Sequence, residues 1–162
     1  MHTAYEAILD RLDELHRSIR ETLNDLPAEA LDWSPAPEMN SLSVLIVHLA
    51  GAERYWVGDV VQGIPSFRDR DAEFRAKGLS AGALAQRITD LESYERLVLG
   101  NLDLASLEEE RISPRDGRRT TVAWALSHAL EHTAIHVGHI QILSQLWKQR
   151  PGGLQAATKT GN

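Results

Sequence analysis

The sequence predicts an all-α protein, a four-helix bundle. Three observations carry that expectation. Four long segments repeat apolar residues every three or four positions. No segment shows a convincing strand pattern. Polar stretches bearing proline and glycine separate the four. The 162 residues suit one domain with a real core. That domain is expected over residues 1–150. A flexible tail is expected over 151–162, where LQAATKTGN has no periodic apolar face.

In the first segment, Tyr5, Ile8, Leu12, Leu15, Ile19, Leu23 and Leu26 form one stripe among charged residues, and Pro27 ends it. PAEALDWSPAPEMN carries three prolines and reads as a loop, with Trp33 packed over the end of a core. Ser41 or Ser43 caps the second helix, SVLIVHLAGAERYWVGDVV. It sets Val44, Leu45, His48, Ala52 and Tyr55 or Trp56 on one side, and Gly63 and Pro65 close it. FRDRDAEFRAKG reads as a loop or a short irregular helix. Ser80 caps the third helix, in which Leu84, Ile88, Leu91, Tyr94 or Glu95, and Val98 recur at helical spacing. DLASLEEERISPRDGRRT is a second polar linker. Thr120 or Thr121 starts the last helix, TVAWALSHALEHTAIHVGHIQILSQLWKQ, which Pro151 and the following glycines end. None of the three connections is minimal, so the topology need not be simple up-down-up-down.

Composition narrows the function. A net charge of −6 argues against nucleic-acid binding, which rests on cationic contacts to phosphates. The short cluster Arg115, Arg118, Arg119 reads as a solvated loop, as does Arg68-Asp69-Arg70-Asp71, rather than as a lid over an anionic substrate. There are no cysteines, which excludes disulfides, thiolate ligands and a cysteine nucleophile from the chain itself. No apolar run reaches the ~18 residues of a membrane span, and the N-terminus is not of signal-peptide type. A cytoplasmic location is expected.

The stretch HALEHTAIHVGH holds four of the seven histidines: His128, His132, His136 and His139. At ~100° per residue they fall within an arc of roughly 80°, flanked by apolar residues. Their rings therefore face the bundle interior or its margin. A buried imidazole needs partners for both nitrogens, and four without them would cost several kcal/mol, by order of magnitude. Either each ring bonds to a polar group on a neighbouring helix, or a metal ion satisfies some of them. Two histidines at i and i+4 can hold one ion. Spacing alone does not choose between His128/His132 and His132/His136. His48, mid-helix on the core side, is the natural third ligand, since bundle metal sites use inward side chains of facing helices. His2, at the terminus, and His16, among polar neighbours, are less apt. Three imidazoles suit Zn²⁺ or Ni²⁺ and leave a coordination position open, as in catalytic sites.

His48 in HLAGAERYW, together with HTAIHVGHI on the last helix, resembles the DinB-like (damage-inducible) superfamily. LDWSPAPEMNSLSVLIVHLAGAERYW is similar to that family's segment from the first loop into the second helix, and the resemblance runs to Trp147. It implies a four-helix bundle with a long crossover connection, often a homodimer. It also implies a divalent metal on His48, His132 and His136. Where the family has an Arg-Gly-Gln-like triplet this chain reads Val137-Gly138-His139. His139 and His128 then take supporting or pocket-lining roles. Relatives include thiol-dependent S-transferases and mycothiol-dependent maleylpyruvate isomerases. The resemblance thus implies an S-transferase or isomerase that uses a low-molecular-weight thiol, such as bacillithiol or mycothiol, with a small electrophile. A metal-dependent hydrolase and a non-catalytic metal-binding bundle are the alternatives. Glu53 lies ~140° around the helix from His48 and is expected outside the pocket, as is Glu131. Trp33, Tyr55 and Trp56 are expected in core or dimer packing.

Overall fold

The computed structural model describes residues 1–151; the remainder of the expected tail lies outside the described residues. Helix α1 spans Thr3–Asn24 and buries Tyr5, Leu9, Leu12, His16, Ile19 and Leu23. The inward stripe is thus rotated slightly from the expected one: Leu9 and His16 go inside, while Ile8 and Leu15 sit at its margin. One turn, α2 (Ala28–Leu31), interrupts the first proline-bearing loop because Ala30 and Leu31 are buried. Helix α3 spans Leu42–Arg54, capped by Ser41, whose Oγ accepts from Val44 N. It continues as a π-helix over Tyr55–Gln62 and stops at Gly63, whose φ of 74° is left-handed. The wider π turn buries Tyr55, Trp56, Val57, Val60 and Val61 together, which a 3.6-residue period would not.

Asp69 caps a second single turn, α4 (Arg70–Glu73). Ser80 caps α5 (Ala81–Gly100). A 3₁₀ turn over Leu104–Glu108 then leads into a hairpin of two three-residue strands, β1 (Glu110–Ile112) and β2 (Arg119–Thr121). They pair antiparallel with Glu110 opposite Thr121 and Ile112 opposite Arg119. This departs from the strand-free expectation. Strands of three residues are too short to write a legible alternation. Thr121 caps α6 (Val122–Gln149) through Oγ1, which accepts from Trp124 N.

Helix α1 packs on α5 and α6, and α3 packs on the same two helices. Consecutive long helices α1 and α3 therefore occupy opposite corners of the bundle, as do α5 and α6. Leu45 and Ile46 at the start of α3 share a core half with Leu84 and Ile88 at the start of α5, so these neighbours run parallel and the connection over 63–80 is the expected long crossover. The core divides in two. One half gathers Ile19, Leu49, Leu84, Ile88 and Ile140; the other gathers Tyr5, Leu9, Val57, Leu99 and Leu126. Between the halves lies a buried polar layer to which each long helix contributes one residue: His16, Glu53, Glu95 and Thr133. Among the described residues no helix is long and apolar enough to cross a membrane.

Candidate metal centre

Helices α3 and α6 lie side by side, and their facing sides bring His48, His132 and His136 together. Each ring offers a nitrogen within 4.8 Å of one on each of the others. The ring centroids of His132 and His136 are 4.4 Å apart, and that of His48 is 5.3 and 5.1 Å from them. The i, i+4 spacing on α6 sets the first separation. Burial, reinforced by the neighbouring imidazoles, pushes His132 down to about 4. Burial and then His48 push His136 to a similar value. Both are thus neutral near pH 7, with lone pairs free. Their Nδ1 atoms are buried and make no hydrogen bond. Two orphaned ring nitrogens beside a third imidazole are a donor set that fits a divalent cation.

The third ring is fixed from behind. His48 Nδ1 donates to the Glu73 carboxylate, Oε2, at 2.9 Å, which leaves Nε2 as the nitrogen available to a ligand. Glu73 is itself held by a forked pair with Arg68, Nε to Oε1 at 2.6 Å and Nη2 to Oε2 at 2.7 Å. Burial would raise the Glu73 carboxyl, but Arg68 and His48 outweigh it and hold it below the ordinary value. Gly51 makes this arrangement possible. A Cβ there would stand 2.0 Å from Glu73 Oε1. Sequence reasoning missed Glu73 and Arg68. FRDRDAEFRAKG alternates charges without a periodic face, so nothing in it marks one carboxylate as buried. The nearest signal was the general need of a metal-binding histidine for an acceptor on its second nitrogen.

Aromatic residues wall the site. The Phe74 ring lies 4.7 Å from His48. His128 stacks on Trp124 at 4.9 Å and meets Trp56 edge-on at 4.7 Å, while its centroid is 6.2 Å from His132. It is not within the three-histidine group. His139 is exposed, 5.5 Å from His136, and Val137 of the departing triplet is buried in the core. Glu131 is exposed. Tyr55 and Trp56 are buried, and Trp33 packs edge-on against Trp147 at 5.6 Å. A cavity of about 920 Å³ lies behind Glu73 along α3, α4 and α5, and none of the three histidines lines it.

Glu53 points away from the histidines, into the polar layer. Its Oε1 lies 3.0 Å from His16 Nε2, and Thr133 Oγ1 donates to its other oxygen. His16, expected among polar neighbours, is fully buried. Its flanking residues in sequence are polar, but its own face packs inward. Burial alone would lower His16; its hydrogen bonds to Glu53 and Glu92 outweigh that and push it up to about 9. Burial would also raise Glu53, but Glu95 and His16 keep it below the ordinary value. Glu95 goes the other way: burial, then the Glu53 charge, raises it well above the usual range. These shifts favour the charged form of His16 and Glu53 and the neutral form of Glu95, so that Glu95 can donate to Glu53.

Residues 7–149 match the family described as mycothiol-S-transferase. The chain belongs to that family. Its fold is that of the DinB-like four-helix bundles. A conserved protein from Enterococcus faecalis superposes with a TM-score of 0.72 at 14% identity, over 87% of this chain and 95% of that one. A DinB-like protein from Bacillus cereus gives 0.71 at 17% identity, over 86% and 90%. YfiT from Bacillus subtilis, described as a probable metal-dependent hydrolase with an unusual four-helix bundle topology, gives 0.71 at 16%, over 90% and 88%. At these identities the likeness establishes the fold. No curated protein matches the chain.

Proposed function

We propose that this protein is a divalent-metal-dependent S-transferase that joins a low-molecular-weight thiol, of the mycothiol or bacillithiol kind, to a small electrophile. His48, His132 and His136 hold the ion, zinc or nickel by the softness of an all-imidazole set. The observation that carries the reading is the convergence of these three rings with His48 tied to Glu73, in a chain of the mycothiol-S-transferase family. When bound, the ion supplies Lewis-acid chemistry that favours the thiolate form of an incoming thiol near neutral pH. The chain has no cysteine, so the nucleophilic sulfur arrives with the thiol. Glu73 holds the tautomer and orientation of His48. Burial keeps His132 and His136 unprotonated. Phe74, Trp56 and Trp124 shield the site from bulk water.

The protein works in the cytoplasm, where such thiols are kept reduced. A homodimer is part of the reading. Ile135, Ile142 and Leu146 leave an exposed apolar stripe on α6 that a second copy would cover. The alternative is hydrolysis, favoured by the likeness to YfiT and by an ion with an open position. One experiment separates the readings. Protein purified without a metal-affinity tag is assayed by elemental analysis, then tested for electrophile consumption with and without added thiol. A stoichiometric metal, lost in His48→Ala, and thiol-dependent turnover are expected. Equal turnover without thiol identifies a hydrolase, and absence of any metal uptake refutes the proposal.

A further inference from the structure

Two arginine-bearing segments, far apart in sequence, meet beside the metal centre. The loop before α4 brings Arg68, and the first residue of α4 is Arg70; the turn between β1 and β2 brings Arg115 and Arg118. Between them lies a cleft of about 270 Å³, lined by Tyr55, Asp59, Arg68, Arg70, Pro114 and Arg115. It adjoins the back of one of the three histidines: Arg68, which lines it, has Nη2 3.4 Å from His48 Nδ1. Each rim reaches the site through an aromatic ring. Arg70 sits 4.7 Å over Phe74, the ring beside His48. Arg118 sits 4.0 Å over Trp124, the ring stacked on His128.

The charges around the cleft do not cancel. Arg68 is neutralised by Glu73. Asp59 is occupied by Ser66, whose N and Oγ both donate to it at 3.0 Å, and lies 3.4 Å from Arg54. Among the described residues, Arg70 and Arg118 have no carboxylate within ion-pair distance, and Arg115 meets only the exposed Asp116 at 3.4 Å. A protein of net charge −6 thus gathers uncompensated guanidinium groups at one entrance. A guanidinium stacked on a ring keeps its N–H edges free and loses less rotational freedom on binding. Those edges match the two oxygens of a carboxylate or phosphate.

We propose that this cleft is an oxyanion subsite: the ligand that reaches the metal centre carries a carboxylate or phosphate, held by Arg70 and Arg115. The volume suits the charged end of a ligand, with the rest extending toward the histidines. The assignment of a substrate end rests on the metal-centre reading above; oxyanion binding itself does not. Calorimetry tests it with succinate, methylphosphonate and uncharged succinamide as probes, on zinc-loaded and zinc-free protein. Wild type binds succinate or methylphosphonate in both forms and discriminates against succinamide. The tighter of the two names the anion. The Arg70→Gln/Arg115→Gln variant binds that anion at least about tenfold more weakly, with unchanged zinc content. Arg119→Gln, on the same hairpin but paired with Glu110, binds as wild type. Equal affinity in wild type and the double variant, or equal binding of succinamide, overturns the proposal. Failure to take up zinc refutes the metal reading instead, and the zinc-free measurements still decide the subsite.

Discussion

Glu53→Gln and Glu95→Gln are the same chemical change, one helix apart in one buried layer, yet opposite outcomes are expected. Glu53 is the ionised partner of a buried histidinium. Its replacement leaves His16 with only Glu92, 3.4 Å from Nδ1 and partly exposed. Removing one partner of a buried pair typically costs about 3–5 kcal/mol. The histidine sets a comparable scale. Raised from 6.5 to about 9, it is worth roughly 3 kcal/mol of folding free energy at low pH. That is a large part of the roughly 5–15 kcal/mol that holds a domain folded. Glu95 is already neutral in the folded state. Glutamine there can still donate to Glu53, so Glu95→Gln should change stability by less than about 1 kcal/mol near pH 5, close to the ordinary carboxyl value.

The pH dependence sharpens the contrast. A raised histidine stabilises fully below 6.5 and loses that contribution as pH rises through about 9. Glu95, also raised, favours folding below its ordinary carboxyl value and loses that advantage as pH rises toward its folded value. Wild type should therefore weaken steadily into the alkaline range. Glu95→Gln should weaken less and overtake wild type there, keeping only the His16 window. Glu53→Gln should be weak throughout and lose most of that window. Urea unfolding from pH 5 to 10 on the three proteins measures this. Equal destabilisation by both variants, or a large loss in Glu95→Gln at pH 5, would mean the proton sits elsewhere and the layer is wired differently.

Other consequences are as direct. Glu73→Gln should keep the fold but weaken metal affinity about 10–100-fold, read by competition with a chromogenic chelator; unchanged affinity would remove Glu73 from the site. Gly51→Ala places a methyl where the Glu73 carboxylate lies, so metal affinity should fall even though alanine improves the helix by about 0.5–1 kcal/mol; a thermal melt beside the chelator assay separates the two effects. Because burial holds His132 and His136 near 4, these ligands should stay deprotonated well below the ordinary histidine value, and metal should be released only as pH approaches 4. Elemental analysis after dialysis at stepped pH checks this, and release near pH 6.5 would contradict it. Zinc should raise the melting temperature of wild type in a concentration-dependent way and leave that of His132→Ala unmoved.

The amino-acid sequence by itself determined the four long helices, their serine and threonine caps, and the three histidines that meet. Helical periodicity and capping are local, so both can be read along the chain. The histidine row on α6 was legible because two of the converging rings sit one turn apart, and His48 because it stood alone on an apolar face. Tertiary structure decided the rest. It chose His132 and His136 over His128 by which rings face α3, and it buried Glu73 behind His48 through a loop whose sequence looks solvated. It also placed His16, Glu53, Glu95 and Thr133 in one layer, and two dismissed arginine clusters on one cleft. These residues are up to 117 positions apart, from His16 to Thr133, and belong to helices joined by long connections. Their partnerships depend on long-range packing of diagonal helices, and no periodicity within a single helix encodes which residues of another it will meet.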